Sequence, residues 1–166
     1  MFEIGERVVY GFHGVCRVVD LEERIVDRKK QLYMVLEQPG QGSARFYVPT
    51  HNDAAMAKVK RMLTRQELED LLNSDTVRNG KWISEENHRK LLYRELISKG
   101  DREKLMQMVR CIYIYKAEQA ALGKRCHMCD ENFLRDAEKL LCAECSIILD
   151  LEPEEARRYL RSWLSE

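Results

Sequence analysis

The chain has 166 residues, with 28 Lys and Arg against 28 Asp and Glu, so the formal net charge is +0; 34% of positions are charged and 45% hydrophobic. This composition can build a core and excludes a wholly disordered, collagen-like or charged-tail protein. No apolar run approaches the ~20 residues that cross a bilayer, and the first ten residues lack a basic stretch followed by an apolar one, so a cytoplasmic protein without membrane contact is expected. Six cysteines in such a chain point to reduced thiols or metal ligands rather than a disulfide framework.

The first fifty residues are rich in β-branched and aromatic residues broken by turn formers. Residues 7–10, 15–19, 31–36 and 44–49 read as short strands, giving four or five in all. Gly11, Gly14, the stretch 27–30 and the stretch 39–42 supply turns, which suits a small, strongly bent antiparallel sheet or partial barrel. From residue 54 onward apolar positions recur every three or four, and the pattern becomes helical. Thr64 with Glu67 is a capping box opening a helix that buries Leu68, Leu71 and Leu72. Ser84 can cap a second helix using Leu91, Leu92, Leu96 and Ile97, and Gly100 stops it. Asp101 opens a third helix and Asp130 a fourth, whose stripe includes Phe133, Leu134, Ala137, Leu141 and Cys145; Pro153 starts a fifth. The fold class is therefore α+β in two domains: a small antiparallel sheet over residues 1–52 and about five helices over residues 53–166.

Global neutrality hides an uneven distribution. Residues 1–52 are balanced, residues 53–77 carry −1, residues 78–125 carry +6 and residues 126–166 carry −5. A net +6 over two helices and the turn before them can meet phosphates, or it can be a solvated face neutralised by the acidic end.

Cys126 and Cys129, then Cys142 and Cys145, form two C-x-x-C pairs, the usual spacing of a structural zinc site. The segment between them has no Gly or Pro and an uninterrupted helical period, so one helix should run through it. Cys129 and Cys142 would then stand about 20 Å apart along the axis, too far for four thiolates at about 2.3 Å from one ion. Neither a metal nor any other cofactor is expected.

No G-x-x-x-x-G-K-[ST] loop, nucleophile elbow or H-E-x-x-H pattern is present. His13, His51 and His127 have no recognisable base, nucleophile or orienting partner. The Glu85-Glu86 and Glu154-Glu155 pairs sit at helix starts, where carboxylates stabilise the positive end of the dipole. An enzyme with a small-molecule substrate is not expected.

The run Gly5-Glu6-Arg7-Val8-Val9-Tyr10-Gly11-Phe12-His13-Gly14 and the Val48-Pro49 dipeptide resemble the CarD family of bacterial transcription regulators. That family includes CdnL-type proteins and shares its N-terminal module with the transcription-repair coupling factor. Looser matches follow in order at Asn79-Gly80-Lys81-Trp82, at Ser98-Lys99-Gly100-Asp101 and over residues 133–141. The resemblance implies a Tudor-like N-terminal domain that binds the RNA polymerase β subunit, partly by strand addition, and a helical domain that contacts promoter DNA and tunes the open complex. Arg24 matches a family polymerase-contacting arginine. A second such position holds Tyr47 here, with Arg45 two residues earlier on the same face of the strand.

The resemblance also implies that Trp82 wedges at the upstream edge of the transcription bubble, flanked by Arg78, Lys81, Arg89 and Lys90. From the residues alone, Trp82 reads as well as a ring packed on its own helix. The expected partners are the β subunit and promoter DNA, the latter bound weakly by the protein alone, and the expected state is a monomer. Two alternatives stay open: an adaptor without direct DNA contact, and a zinc-dependent nucleic-acid module using Cys126, Cys129, Cys142 and Cys145.

Overall fold

A computed structural model describes residues 1–40 and 42–166. The expected turn over residues 39–42 includes Gln41, which lies outside the described residues. The fold is α+β, and the chain divides into two compact units, Met1–Met62 and Leu63–Glu166. The expected boundary fell after residue 52. Residues 59–61 form a strand paired with the first one, so this stretch goes with the sheet.

Five antiparallel strands build the first unit: β1 (Arg7–Tyr10), β2 (Val15–Val26), β3 (Lys29–Glu37), β4 (Arg45–Pro49) and β5 (Val59–Arg61). Their order across the sheet is β4-β3-β2-β1-β5, with the one-turn helix α1 (Asp53–Met56) between β4 and β5. The β2–β3 hairpin is longer than the period suggested and turns on Asp27 and Arg28, both at positive φ (51° and 64°). This is the geometry of a two-residue primed turn, whose twist matches that of its strands.

A bulge between Val18 and Asp20 sets what each face of the sheet carries. Before it, Cys16 and Val18 point into the core. An unbroken period of two would send Asp20, Glu22 and Arg24 after them. The bulge adds one residue and reverses the phase. Leu21 therefore joins Met34 and Val48 inside, while Asp20, Glu22 and Arg24 emerge on the opposite face. The core of this unit consists of Val8, Cys16, Val18, Met34, Leu36, Val48 and Val59.

The second unit has six helices: α2 (Arg65–Leu72), α3 (Asp75–Arg78), α4 (Glu86–Lys99), α5 (Arg102–Ala121), α6 (Met128–Leu149) and α7 (Pro153–Leu164). The one unforeseen is α3, a single turn capped by Ser74. Thr64 and Glu67 form the expected capping box, Asp101 caps α5, and Gly100 ends α4 in the left-handed region with φ 67°. Two starts differ from expectation. Glu85, not Ser84, caps α4 by accepting from the N–H groups of Asn87 and His88. α6 begins at Met128 with His127 in the cap position, which leaves Asp130 inside the first turn and fully buried.

Leu68, Leu72, Leu105, Met108, Ile112, Leu160 and Leu164 are almost completely enclosed in the core of this unit, each worth about 1.5–3 kcal/mol of burial. On α4, Leu92, Leu96 and Ile97 pack against this core as expected, but Leu91 is 67% exposed, and Arg89 with Tyr93 is buried in addition. Among the described residues no helix is long and apolar enough to cross a membrane.

Candidate functional site

The solvent face of the sheet gathers the side chains expected to bind polymerase. In the strand register Glu22 lies opposite Tyr33 and Tyr33 opposite Pro49, while Val35 faces Tyr47 and Glu37 faces Arg45. Arg24, Tyr47 and Arg45 therefore project from one face. The Arg24 guanidinium lies over the Tyr47 ring, 4.0 Å from its centroid, and its Nε donates to Glu22 Oε1 at 3.0 Å. Arg45 Nε donates to Glu37 Oε2 at 3.0 Å. Both arginines stay solvent-accessible, so these contacts order the side chains while leaving their charge available. β4 is also an end strand of the sheet and, among the described residues, pairs with no strand but β3.

Sequence reasoning missed Val26 on this face. It shares the alternation of Glu22 and Arg24 and is 36% exposed. The signal was the period of two continuing through residues 20–26, obscured by a charged run and by the bulge upstream of it.

In the helical unit, Trp82 occupies the loop between α3 and α4. Its ring stacks on Tyr115 of α5 with centroids 3.9 Å apart and planes 6° from parallel. The Arg89 guanidinium carbon is 4.4 Å from the Trp82 centroid. A parallel ring at 3.9 Å leaves no room for a guanidinium on the same side, so Tyr115 and Arg89 cover opposite faces of the indole. Trp82 is half-buried and packs against the helical core.

Arg89 is not a phosphate-contacting cation in this arrangement. It is 2% exposed, and Nε and Nη2 each donate to an Asp130 carboxylate oxygen at 2.8 Å. The remaining Nη1 donates to the Ile83 carbonyl at 2.9 Å, which ties the Trp82 loop to the pair. A charge removed from water needs such a partner, and the sequence holds that partner forty-one residues away. Asp130 read as a helix cap and Arg89 as an exposed helix residue, so no local signal joined them.

The other three expected DNA-contacting cations differ in freedom. Lys90 Nζ lies 3.0 Å from Glu86 Oε1, and Lys90 in turn holds the Glu86 carboxyl below its ordinary value by hydrogen bonding and charge. Arg78 Nη1 donates to the Glu166 carbonyl at 3.2 Å. Lys81 is exposed and, among the described residues, has no ion-pair partner. Arg94, Lys104, Lys124 and Arg125 share that condition. The +6 segment is thus divided: Arg89 and Arg102 neutralise buried Asp130 and Glu144, Lys99 and Lys116 are exposed but paired with Glu95 and Glu131, and five exposed cations have no ion-pair partner among the described residues.

The two C-x-x-C pairs do not converge. Cys129, Cys142 and Cys145 all lie on the continuous helix α6, so Cys129 and Cys142 are about 20 Å apart along its axis. No group of three or more His, Cys, Asp or Glu side chains with metal-holding geometry occurs among the described residues. All six cysteines are free thiols.

Residues 2–60 match the family model of the CarD-like/TRCF RID domain. The match covers the sheet and none of the helices of the second unit, so the N-terminal unit is similar to that family of interaction domains. No curated protein matches the chain.

Proposed function

We propose that this protein is a transcription regulator that docks on the RNA polymerase β subunit through the Arg24–Tyr47–Arg45 face and the β4 edge. The helical unit then meets promoter DNA at the upstream edge of the bubble and adjusts the lifetime of the open complex. The observation that carries the reading is the joint one: residues 2–60 match the CarD-like/TRCF RID domain, and the matched sheet presents two arginines and a tyrosine on one solvent face. A polymerase-bound regulator needs little DNA affinity of its own. Five exposed cations without an ion-pair partner among the described residues neutralise few phosphates, so duplex binding by the protein alone is weak and falls steeply with salt.

Trp82 and Lys81 are the residues assigned to DNA, with Arg78 and Lys90 beside them; Arg89 is withdrawn from that role. A second reading, an adaptor whose helical unit binds protein and not DNA, is favoured by one fact: both faces of Trp82 are occupied.

A pull-down with a β-subunit fragment tests the docking surface. Wild type should be retained, and Arg24→Ala should lose most retention while keeping its melting temperature. Equal retention of the two refutes the site. Photocrosslinking from position 82 to upstream-edge promoter DNA, in the polymerase complex, separates DNA contact from the adaptor reading.

A further inference from the structure

We infer that Tyr115 and Arg89 are positioning residues that keep Trp82 stowed, so that its engagement with DNA is gated by the ring leaving this sandwich. The inference rests on the reading that Trp82 meets DNA, and it adds how that site is regulated.

A ring that wedges against a base pair, or stacks on a base, needs at least one open face. Trp82 has none: Tyr115 lies parallel at 3.9 Å on one side and the Arg89 guanidinium at 4.4 Å on the other. Both covers are fixed from behind. Tyr115 is carried by the twenty-residue helix α5. Arg89 is held by Asp130 at 2.8 Å through both oxygens, and both residues are buried. The loop itself is anchored at two points. Arg89 Nη1 grips the Ile83 carbonyl at 2.9 Å on one side of Trp82. On the other, Gly80 lies so close to α5 that a Cβ there would stand 2.5 Å from Gln107 Cγ.

The mobile part is thus the Trp82 side chain. It can rotate out while its backbone stays anchored, exchanging Tyr115 and Arg89 for nucleic-acid contacts. The stowed population lowers apparent DNA engagement by the fraction of rings that are out. An aromatic stack of this kind biases such an equilibrium about 2- to 10-fold. Arg89 adds a cation–π contact to the same side of the balance.

The test uses the full chain. In a Trp163→Phe background Trp82 is the sole tryptophan of the two in the chain, and acrylamide quenching reads its exposure without DNA. Tyr115→Ala, and Tyr115→Leu as a version that keeps the volume filled, should raise the quenching constant several-fold, while Tyr115→Phe should stay at the parent value. In a polymerase–promoter complex, the same leucine and alanine changes in the otherwise native chain should alter open-complex lifetime about 2- to 10-fold, opposite in direction to Trp82→Ala.

Unchanged quenching in both the leucine and alanine variants overturns the stowing, whatever the promoter assay shows. Raised quenching with identical lifetimes for wild type, Tyr115→Leu and Trp82→Ala overturns the DNA reading and the gating with it. A lifetime change in Tyr115→Leu of the same sign as in Trp82→Ala means that Tyr115 presents the ring instead of holding it back, and that also overturns the inference.

Discussion

The guanidinium of Arg24 sits 4.0 Å above the ring centroid of Tyr47, joining β2 to the end strand β4 across the solvent face of the sheet. Tyr47 stands where the family resemblance expects a second arginine. The contact shows what a tyrosine there can do: it supports the first arginine from beneath, with Glu22 fixing it laterally at 3.0 Å. The two residues should therefore act on polymerase binding as a unit. Arg24→Ala should weaken binding to a β-subunit fragment by about 10-fold or more, as loss of a central interface charge does. Tyr47→Ala should cost less, and the double variant should bind like Arg24→Ala alone. Calorimetric or surface-binding titrations of the four proteins measure this, and strictly additive losses would show that Tyr47 contacts the partner on its own account.

Arg89 and Asp130 form the most enclosed ion pair in the molecule's described residues, with side chains 3% and 0% exposed. Removing one member leaves the other charged and buried, which typically costs about 3–5 kcal/mol. Asp130→Ala should thus shift the urea midpoint of the helical unit strongly. Replacing both residues together, as Arg89→Met with Asp130→Leu, should recover much of that loss, because apolar pairs of similar volume satisfy the site without desolvating charge. If the double variant is as unstable as Asp130→Ala, the penalty comes from packing and not from the stranded charge.

These two pairs also mark what the sequence could and could not reveal. The sheet face was legible in part, because Arg45 and Tyr47 stand two apart on one strand and share a face; Arg24 lay beyond the strand expected over residues 15–19 and was singled out by the family resemblance alone. Its extent was not, because the bulge at Val18 and Asp20 changes phase inside a charged run where period counting has no apolar residues to follow. In the helical unit the caps at Thr64, Asp101 and Gly100 were readable as local chemistry. Arg89 was not, since a burial decided by a carboxylate on another helix leaves no trace in the neighbouring residues. The same pairing accounts for the error on α4, where counting apolar positions alone put Leu91 inside and the buried arginine outside.

His13 sits among aromatic rings, stacked on Tyr10 with centroids 5.3 Å apart and 4.2 Å from both Phe12 and Phe46. Burial, with a smaller contribution from Lys58, holds its pKa below the ordinary 6.5. A base with a depressed folded-state value binds its proton more readily when unfolded, so the unfolded state gains protons first as pH drops. Stability of the sheet unit should be full above about pH 6.5 and decline as pH falls from there through the folded-state value. Melting curves between pH 8 and pH 5.5 should show this slope in the native chain and a flatter one in His13→Phe. An identical slope in both would assign the pH dependence to other groups.

Gly80 makes a separate prediction about the loop that carries Trp82. An added Cβ would meet Gln107 Cγ at 2.5 Å and Cys111 Sγ at 3.0 Å. Gln107 cannot swing away freely, because its Nε2 donates to the Thr76 carbonyl at 2.7 Å. Gly80→Ala should therefore destabilise the helical unit by about 1–3 kcal/mol, the range of a forced overpacking. Adding Gln107→Ala should return part of the loss, a coupling expected of residues in direct contact. Denaturant titration of the single and double variants decides it; a neutral Gly80→Ala would mean that the loop has room to lift from α5.

The cysteines divide by environment, and thiol chemistry can read that division. Burial pushes Cys16 and Cys142 up to about 11, and raises Cys145 beyond the ordinary thiol range. Cys111 is also buried and shifted upward. The thiolate is the reacting species, so at pH 8 these four should label slowly with a disulfide reagent, at rates set by opening of the fold. Cys126 and Cys129 lie at the start of α6, half-buried, and Cys129 Sγ is 3.9 Å from Glu86 Oε1. Burial raises Cys126, but neither side chain is fully enclosed, so these two should label ahead of the other four. A single zinc site built from both pairs would reverse this pattern, shielding Cys129 and Cys142 together until a chelator freed them and lowering the melting temperature when it did. Mass spectrometry of the labelling order, with and without chelator, distinguishes the two. Joint protection of Cys129 and Cys142 would require a break in α6 between them.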